Sequence, residues 1–303
     1  MPTDQRISRR NVIKGAAAGA GTFALAGCAA DNYDGPGVFV GRVHEVPTDD
    51  PDHDAWRAAP EQTIELGPQD ITLPQQLTPA VTALRVRAIH DGERIGFRLE
   101  WDDPDVNDLT VRVDDYRDAC AVLLLPRVAD PALRFMGSAT TPATLLHWKA
   151  DWQRDVDHGR QGLEDVFPNR SIDTYPIVHD VIPDDVDIAA YQDAAATEWL
   201  PGVHVGNPIS LAERTSPVEK AIAYGFSTTT TATSQDAGGR GIRTATGWRV
   251  ILTKPLTAVD DGETMIRPGT PATCAFAVWS GGVHDAGSRK SPAKTLHALD
   301  VAP

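Results

Sequence analysis

"ALRVRAIHDGERIGFRLEW", residues 83–101, is the stretch that decides the fold. Leu84, Val86 and Ala88 alternate with Arg85 and Arg87, Asp91-Gly92 supplies a turn, and Ile95, Phe97, Leu99 and Trp101 alternate on the way back. Two runs of period two around a turn dipeptide make a β-hairpin with one buried face. Working outward, "ACAVLLLP" (119–126) is a continuous apolar run, as expected of a strand covered on both sides. "YGFSTTTTATS" (224–234) is β-branched and polar and reads as a strand with a wet face. "GWRVILTKPL" (247–256) and "CAFAVWS" (274–280) add two more strands. Prolines and glycines are scattered throughout, and no long helical periodicity appears beyond the first 28 residues. The expectation is an all-β chain: an antiparallel β-sandwich with long loops and little helix. A single domain is expected over 41–303, with 155–215 as an Asp-rich, Pro-punctuated irregular excursion holding one helical turn near "AAYQDAAATEW" (189–199).

The first 28 residues read as an address. "SRRNVIKG" (8–15) places Arg9 and Arg10 before Val12, Ile13 and Lys14, as in a twin-arginine signal, and a mild Ala/Gly-rich run leads to "LAGC" (25–28). That ending is a lipobox, so cleavage would leave Cys28 as a lipidated N-terminus, with residues 29–40 as a polar tether. An ordinary export signal, or cleavage without lipid, is the alternative. The expected place is the outer face of the cytoplasmic membrane, held by lipid.

The chain carries 32 Asp and 10 Glu against 22 Arg and 6 Lys, a net charge of -14. An Asp-heavy, Lys-poor surface stays hydrated in concentrated salt, which points to a halophilic setting; an acidic face for a basic partner is the competing reading. Nucleic acid is excluded as a partner, because no basic patch is present to meet phosphates. After Cys28 only Cys120 and Cys274 remain, both in apolar runs. They read as buried thiols, or as a disulfide if their strands are neighbours. No CxxC or CxxCH is present, nor any GxSxG, HExxH or Gly-rich nucleotide loop, so the chain offers no catalytic motif of its own.

One methionine stands out. "RFMGSATTPATLLHWKADW" (134–152) sets Met136 between a Phe and a Gly in a small, polar stretch, although the chain has only 3 methionines. It is either a gap-filling side chain or a thioether aimed at a metal.

The order of motifs favours the metal. "FRLEWDDPDVND", "DDYRDACAVLLLP", "FMGSATTPATLLHWKADW", "VEKAIAYGFSTTTTATSQDAGGRGIRTATGWRVILTKPL" and "FAVWSGGVHDAGSRKSPAKTLHAL" follow one another from about residue 80 to the end. The series resembles the haem b-binding gamma subunit of the type II dimethyl sulfoxide reductase family, the group of ethylbenzene and dimethyl sulfide dehydrogenases and of selenate, chlorate and exported nitrate reductases. The resemblance implies a β-sandwich with one non-covalent haem b held between its sheets by a methionine and a lysine. On this sequence these are Met136 of "FMG" and Lys290 of "RKS". Lys294 and His284 are the fallback ligands, and His147 and His284 are chemically better iron ligands than lysine in general. Trp148, Trp152 and Trp279 would pack on the porphyrin, and Lys149 would anchor a carboxylate or a propionate. The implied function is non-catalytic electron transfer within an exported molybdenum oxidoreductase complex of the nitrate or chlorate type. Its partners would be a molybdopterin catalytic subunit and an iron–sulfur subunit. A cofactor-free carbohydrate-binding sandwich, with tryptophans as a stacking platform, is the alternative.

Overall fold

The structure, a computed structural model, describes residues 37–128, 130–170, 201–211 and 213–303. The signal, the lipobox and the expected helical turn at 189–199 lie outside the described residues. Thirteen strands form one hydrogen-bonded sheet: β1 (Val38–Arg42), β2 (Gln62–Glu65), β3 (Ala83–His90), β4 (Arg94–Asp102), β5 (Ala119–Leu125), β6 (Ala143–Lys149), β7 (Val218–Ala223), β8 (Thr230–Thr231), β9 (Gly238–Arg243), β10 (Gly247–Pro255), β11 (Ala272–Trp279), β12 (Ser291–Pro292) and β13 (His297–Val301). Their order is β8-β7-β6-β5-β11-β13-β1-β3-β4-β10-β9, with β2 added to β3 and β12 to β11.

The sheet doubles over on itself. Trp148 of β6 meets Trp101 of β4 at 6.2 Å and Trp248 of β10 at 5.0 Å between ring centres, and Phe276 of β11 meets Phe97 of β4 at 6.4 Å. Those pairs join the two layers of a sandwich, and Val86, Leu99, Val122, Leu146, Val250 and Val278 fill the same core. The expected hairpin is present, with Val86 opposite Leu99 and Ala88 opposite Phe97. The chain is therefore all-β, as its alternating runs imply.

The structure corrects several details. Strand β1 pairs in parallel with both β13 and β3, so the sheet is mixed where an antiparallel one was expected. The chain's first and last described strands meet at the seam between the layers, and Val38 and Val40 are wholly buried there. The tether assigned to 29–40 thus ends before Val38. In the stretch 224–234 only Thr230–Thr231 is strand. The long strand is Val218–Ala223 just before it, hidden from sequence reading because its buried Glu219 and Lys220 look like surface residues. A helix, α1 (Ala150–His158), follows β6 directly. Its buried face carries Asp151, Gln153 and Asp155, which bond Arg117, the Gly241 amide and Arg214, so apolar periodicity could not announce it. Cys120 and Cys274 are free and buried. Their strands do pair, but Cys274 faces Leu124, four residues along from Cys120, so no disulfide forms.

The tightest inter-layer contact gives a test. A Cβ on Gly241 of β9 would stand 2.3 Å from the Trp148 ring, which the layers hold rigidly. Gly241→Ala is expected to cost about 1–3 kcal/mol in urea unfolding at an unchanged m-value. A neutral effect would mean that the layers slide freely over each other.

Candidate functional site

Both faces of the β5–β6–β11 layer are buried, by different things. Alternation sends Cys120, Val122, Leu146, Trp148, Phe276 and Val278 into the sandwich core, and sends Ala119, Ala121, Leu145, His147, Ala275, Ala277 and Trp279 to the other side. On that outer side the small alanines leave room, and loops cover it. The result is a cavity of about 430 Å³ lined by Met136, Lys290, His147, Trp279, Leu145 and Ala275, with Arg134, Phe226, Gln69, Ile71, Thr72 and Leu73 at its rim. That volume falls within the range of small-molecule sites, roughly 300–1,000 Å³. No carboxylate lines it, in a chain with 42 of them.

Met136 reaches the cavity through an unusual backbone. It adopts φ +77, and Gly137 follows at φ +66. A bulky residue in the left-handed region costs on the order of 1–3 kcal/mol and needs its surroundings to hold it. Two bonds do so: the Gly137 amide donates to the Leu133 carbonyl at 2.9 Å, and the Gly225 amide donates to the Met136 carbonyl at 2.9 Å. Gly137 has no freedom to change, since a Cβ there would lie 2.7 Å from the Thr141 carbonyl oxygen. This arrangement brings Met136 Sδ to 4.0 Å from Lys290 Nζ.

Lys290 is the other anomaly. Lys149 pairs with Glu219, Lys220 with Asp236, Asp260 and Glu263, Lys254 with Glu263, and Lys294 with Glu65. Among the described lysines, Lys290 alone has no carboxylate within salt-bridge reach. Its closest ring is Trp279, whose centre is 5.1 Å from Nζ. Burial pushes its amine down to about 8 from the ordinary 10.5, with no opposing charge to restore it. The neutral amine has a free lone pair and is the form that can bind a metal. His147 sits beside it with its ring 4.8 Å from Trp279 and its Nε2 buried without a partner. Burial, then Lys149, Arg117 and Lys290, hold its imidazole well below the usual range, so it is neutral.

A thioether facing an amine that gives up its proton easily, in a mostly apolar cavity, forms a donor pair suited to a haem iron. A model of the family described as ethylbenzene dehydrogenase matches residues 53–174. The gamma subunit of chlorate reductase from Ideonella dechloratans is 23% identical over 287 residues, covering 93% of this chain and 92% of that one. The putative respiratory nitrate reductase heme subunit ORF7 of Haloferax mediterranei is 24% identical over 152 residues, covering 46% and 55% respectively. The chain is thus similar over most of its length to a reductase gamma subunit and over about half of it to a heme subunit. Among solved structures, a family 9 carbohydrate binding module from Caldicellulosiruptor kristjanssonii aligns over 88% of this chain and 93% of its own at 10% identity with a TM-score of 0.36. A likeness that low carries no argument.

Of the residues that the family resemblance singles out, the structure brings Met136, Lys290 and Trp279 together at one cavity. It places the others elsewhere. Trp148 is in the inter-layer core, because it follows His147 and must face the opposite way. Lys149 is ion-paired with Glu219 and lies over the Trp152 ring at 3.7 Å, away from the cavity. Lys294 points out to Glu65 at 3.0 Å. His284 stacks on Tyr116 at 4.8 Å and does not line the cavity. The structure does not show where a haem would lie relative to the two layers; Met136 and Lys290 meet on the outer face of the β5–β6–β11 layer, opposite its packed inter-layer side. Sequence reading missed Arg134, Phe226 and the 69–73 loop. Only the folding of distant segments onto that face brings them there.

The buried amine gives a sign-definite test on cofactor-free protein. The folded state holds Lys290 at about 8 and the unfolded chain returns it to 10.5, so the unfolded state binds more protons between those values and stability rises with pH across them. Lys290→Met removes this burden. It is expected to exceed the parent in stability by up to about 3 kcal/mol below pH 8, the gap closing as the pH approaches 10.5. Chemical denaturation of both proteins across that range checks it, and a pH-independent gap would show that no charge is being buried.

Proposed function

We propose that this chain is the haem b electron-transfer subunit of an exported molybdenum oxidoreductase complex, a reductase of the nitrate or chlorate type. The observation that carries this reading is the 4.0 Å approach of Met136 Sδ to Lys290 Nζ in an apolar cavity, with no counter-charge for the lysine. Met136 packs against the outer-face alanines and Trp279, but a buried lysine without a counter-charge and a methionine in a strained backbone both cost stability.

In this reading Met136 and Lys290 would hold the haem iron. The bound haem supplies a one-electron couple, and methionine ligation favours its reduced form. The chain's own residues do the rest. Burial eases the loss of the Lys290 proton, and the tight Met136–Gly137 turn holds the sulfur in place. Trp279, His147, Leu145 and Ala275 wall the site against water. Arg134 at the rim is available to the cofactor's carboxylates. The chain itself is non-catalytic, and substrate chemistry belongs to the molybdopterin subunit, reached through an iron–sulfur subunit. Lipid on Cys28 would hold the assembly at the outer face of the membrane.

The carbohydrate-binding alternative loses its footing. Trp56, Trp101, Trp148, Trp152, Trp248 and Trp279, the described tryptophans, are all buried, so they form no exposed stacking platform on the surface.

The test is a visible absorption spectrum of the purified protein, oxidised and dithionite-reduced. A sharpened α-band of six-coordinate protohaem is expected on reduction, and Met136→Ala and Lys290→Ala should each convert it to a five-coordinate spectrum. A folded, colourless protein that takes up no added haem would overturn the reading. Retention of the parent spectrum by both variants would reassign the ligands.

A further inference from the structure

An amine on a four-carbon stem is only as well placed as the backbone that carries it. Lys290 stands between β11 and β12, and the connection 66–82, which joins β2 to β3, is bonded to its segment on both flanks. On the C-terminal flank the Val81 amide donates to Ser291 Oγ at 3.3 Å, and the Gly67 amide donates to the Pro292 carbonyl at 2.9 Å. On the N-terminal flank Ser288 Oγ donates to the Pro74 carbonyl at 3.3 Å. There, too, Gln76 Nε2 donates to Asp285 Oδ1 at 2.6 Å, and that bond is buried.

Both ends of that bond are fixed. Gln69 and Gln76 exchange two backbone bonds at 2.8 Å, and the Gln69 side chain accepts from the Ile71 and Thr72 amides inside the loop they close. The tip of this loop supplies Ile71, Thr72 and Leu73 to the cavity rim, whereas Gln76 itself does not line the cavity. At the other end, Asp285 is 2% exposed and its second oxygen accepts from the Ser280 amide at 3.3 Å. Burial pushes its carboxyl up, and the bonds from Ser280 and Gln76 oppose the rise. A buried carboxylate that loses such a donor is left unsatisfied and must shift. Asp285 shares a hollow of about 220 Å³ with His147 and Trp279, behind the cavity wall, and the Trp279 indole donates to the Gly287 carbonyl at 3.1 Å. The segment from Asp285 to Lys290 is therefore pinned to the wall on one side and to the rim loop on the other.

We infer that Gln76 is a positioning residue for the Lys290 amine: its buried bond to Asp285 clips the rim loop to the segment that carries Lys290, and so sets the approach of that amine to Met136. This rests on the cavity holding haem through Lys290, as proposed above. Gln76 touches neither Lys290 nor the cavity and acts through Asp285. The clip pairs a neutral amide with a carboxyl, so it can be reversed without a change of net charge.

The experiment measures haem affinity and the reduced absorption spectrum of the full chain titrated with haem. Gln76→Leu removes the donor, and Gln76→Glu sets a second carboxylate against Asp285. Each should weaken haem binding about tenfold or more and give, in part of the sample, the five-coordinate species of Lys290→Ala. In Gln76→Glu/Asp285→Asn the new amide donates to the new carboxylate while its carbonyl still accepts from the Ser280 amide. Affinity and spectrum should then return to those of the parent. Ile251→Val, a core change beside Trp56 in the other layer, lowers stability without touching the clip and should leave both readouts unchanged. Parent-like behaviour of both single variants, no recovery in the reversed pair, or an equal loss in Ile251→Val would overturn the assignment. Where Gln76→Leu does not fold, Gln76→Glu and the reversed pair decide it. A parent that takes up no haem, or a spectrum that survives Lys290→Ala, fails the functional reading instead.

Discussion

A single uncompensated amine organises this molecule. Lys290 is buried beside a thioether and an indole, with every other described lysine neutralised by carboxylates. An ammonium group in such a place is disfavoured by desolvation, and the amine responds by giving up its proton more easily. A protein under selection for stability alone would replace it with a methionine or leucine. The absence of acidic residues from the cavity lining serves the same end, since one carboxylate within 4 Å would restore the proton and remove the lone pair.

The architecture exists to give that amine a dry floor. The β5–β6–β11 layer is buried twice: its large residues fill the sandwich core, and its alanines face the cavity. Packing Trp148 against Trp101, Trp248 and the bare backbone of Gly241 fixes the layer from beneath. The floor on which His147 and Trp279 stand is rigid in consequence. Rigidity limits how much a bound redox group and its surroundings must reorganise when the charge changes. The strained Met136–Gly137 turn fits the same logic, because a sulfur held by two backbone bonds does not drift from its position when nothing is bound.

Charged residues do two separate jobs in the fold. Within the sheet edges they pair and disappear: Lys220 with Asp236, Asp260 and Glu263, Lys149 with Glu219, Arg214 with Asp155. These buried networks leave few unmatched charges inside, which makes Lys290 stand out more sharply. At the surface, by contrast, many aspartates stand exposed to solvent, Asp105 and Asp114 among them.

The sequence by itself determined the all-β class, through the alternation of Leu84 to Trp101 and the apolar runs at 119–126, 247–256 and 274–280. Local sterics and side-chain alternation need no tertiary information. It also made Met136 conspicuous, while Lys290 was singled out only by the family resemblance that the motif order carries. What only the tertiary structure decided is which face carries the site and what shares it. Strand β7 was concealed by Glu219 and Lys220, whose burial depends on partners tens of residues away. Helix α1 was concealed because its buried face is polar. Trp148 and His147 are adjacent in sequence and similar in kind, yet one is core and the other cavity wall. Alternation says that they must part, but only the packing of the second layer says which of the two goes inside.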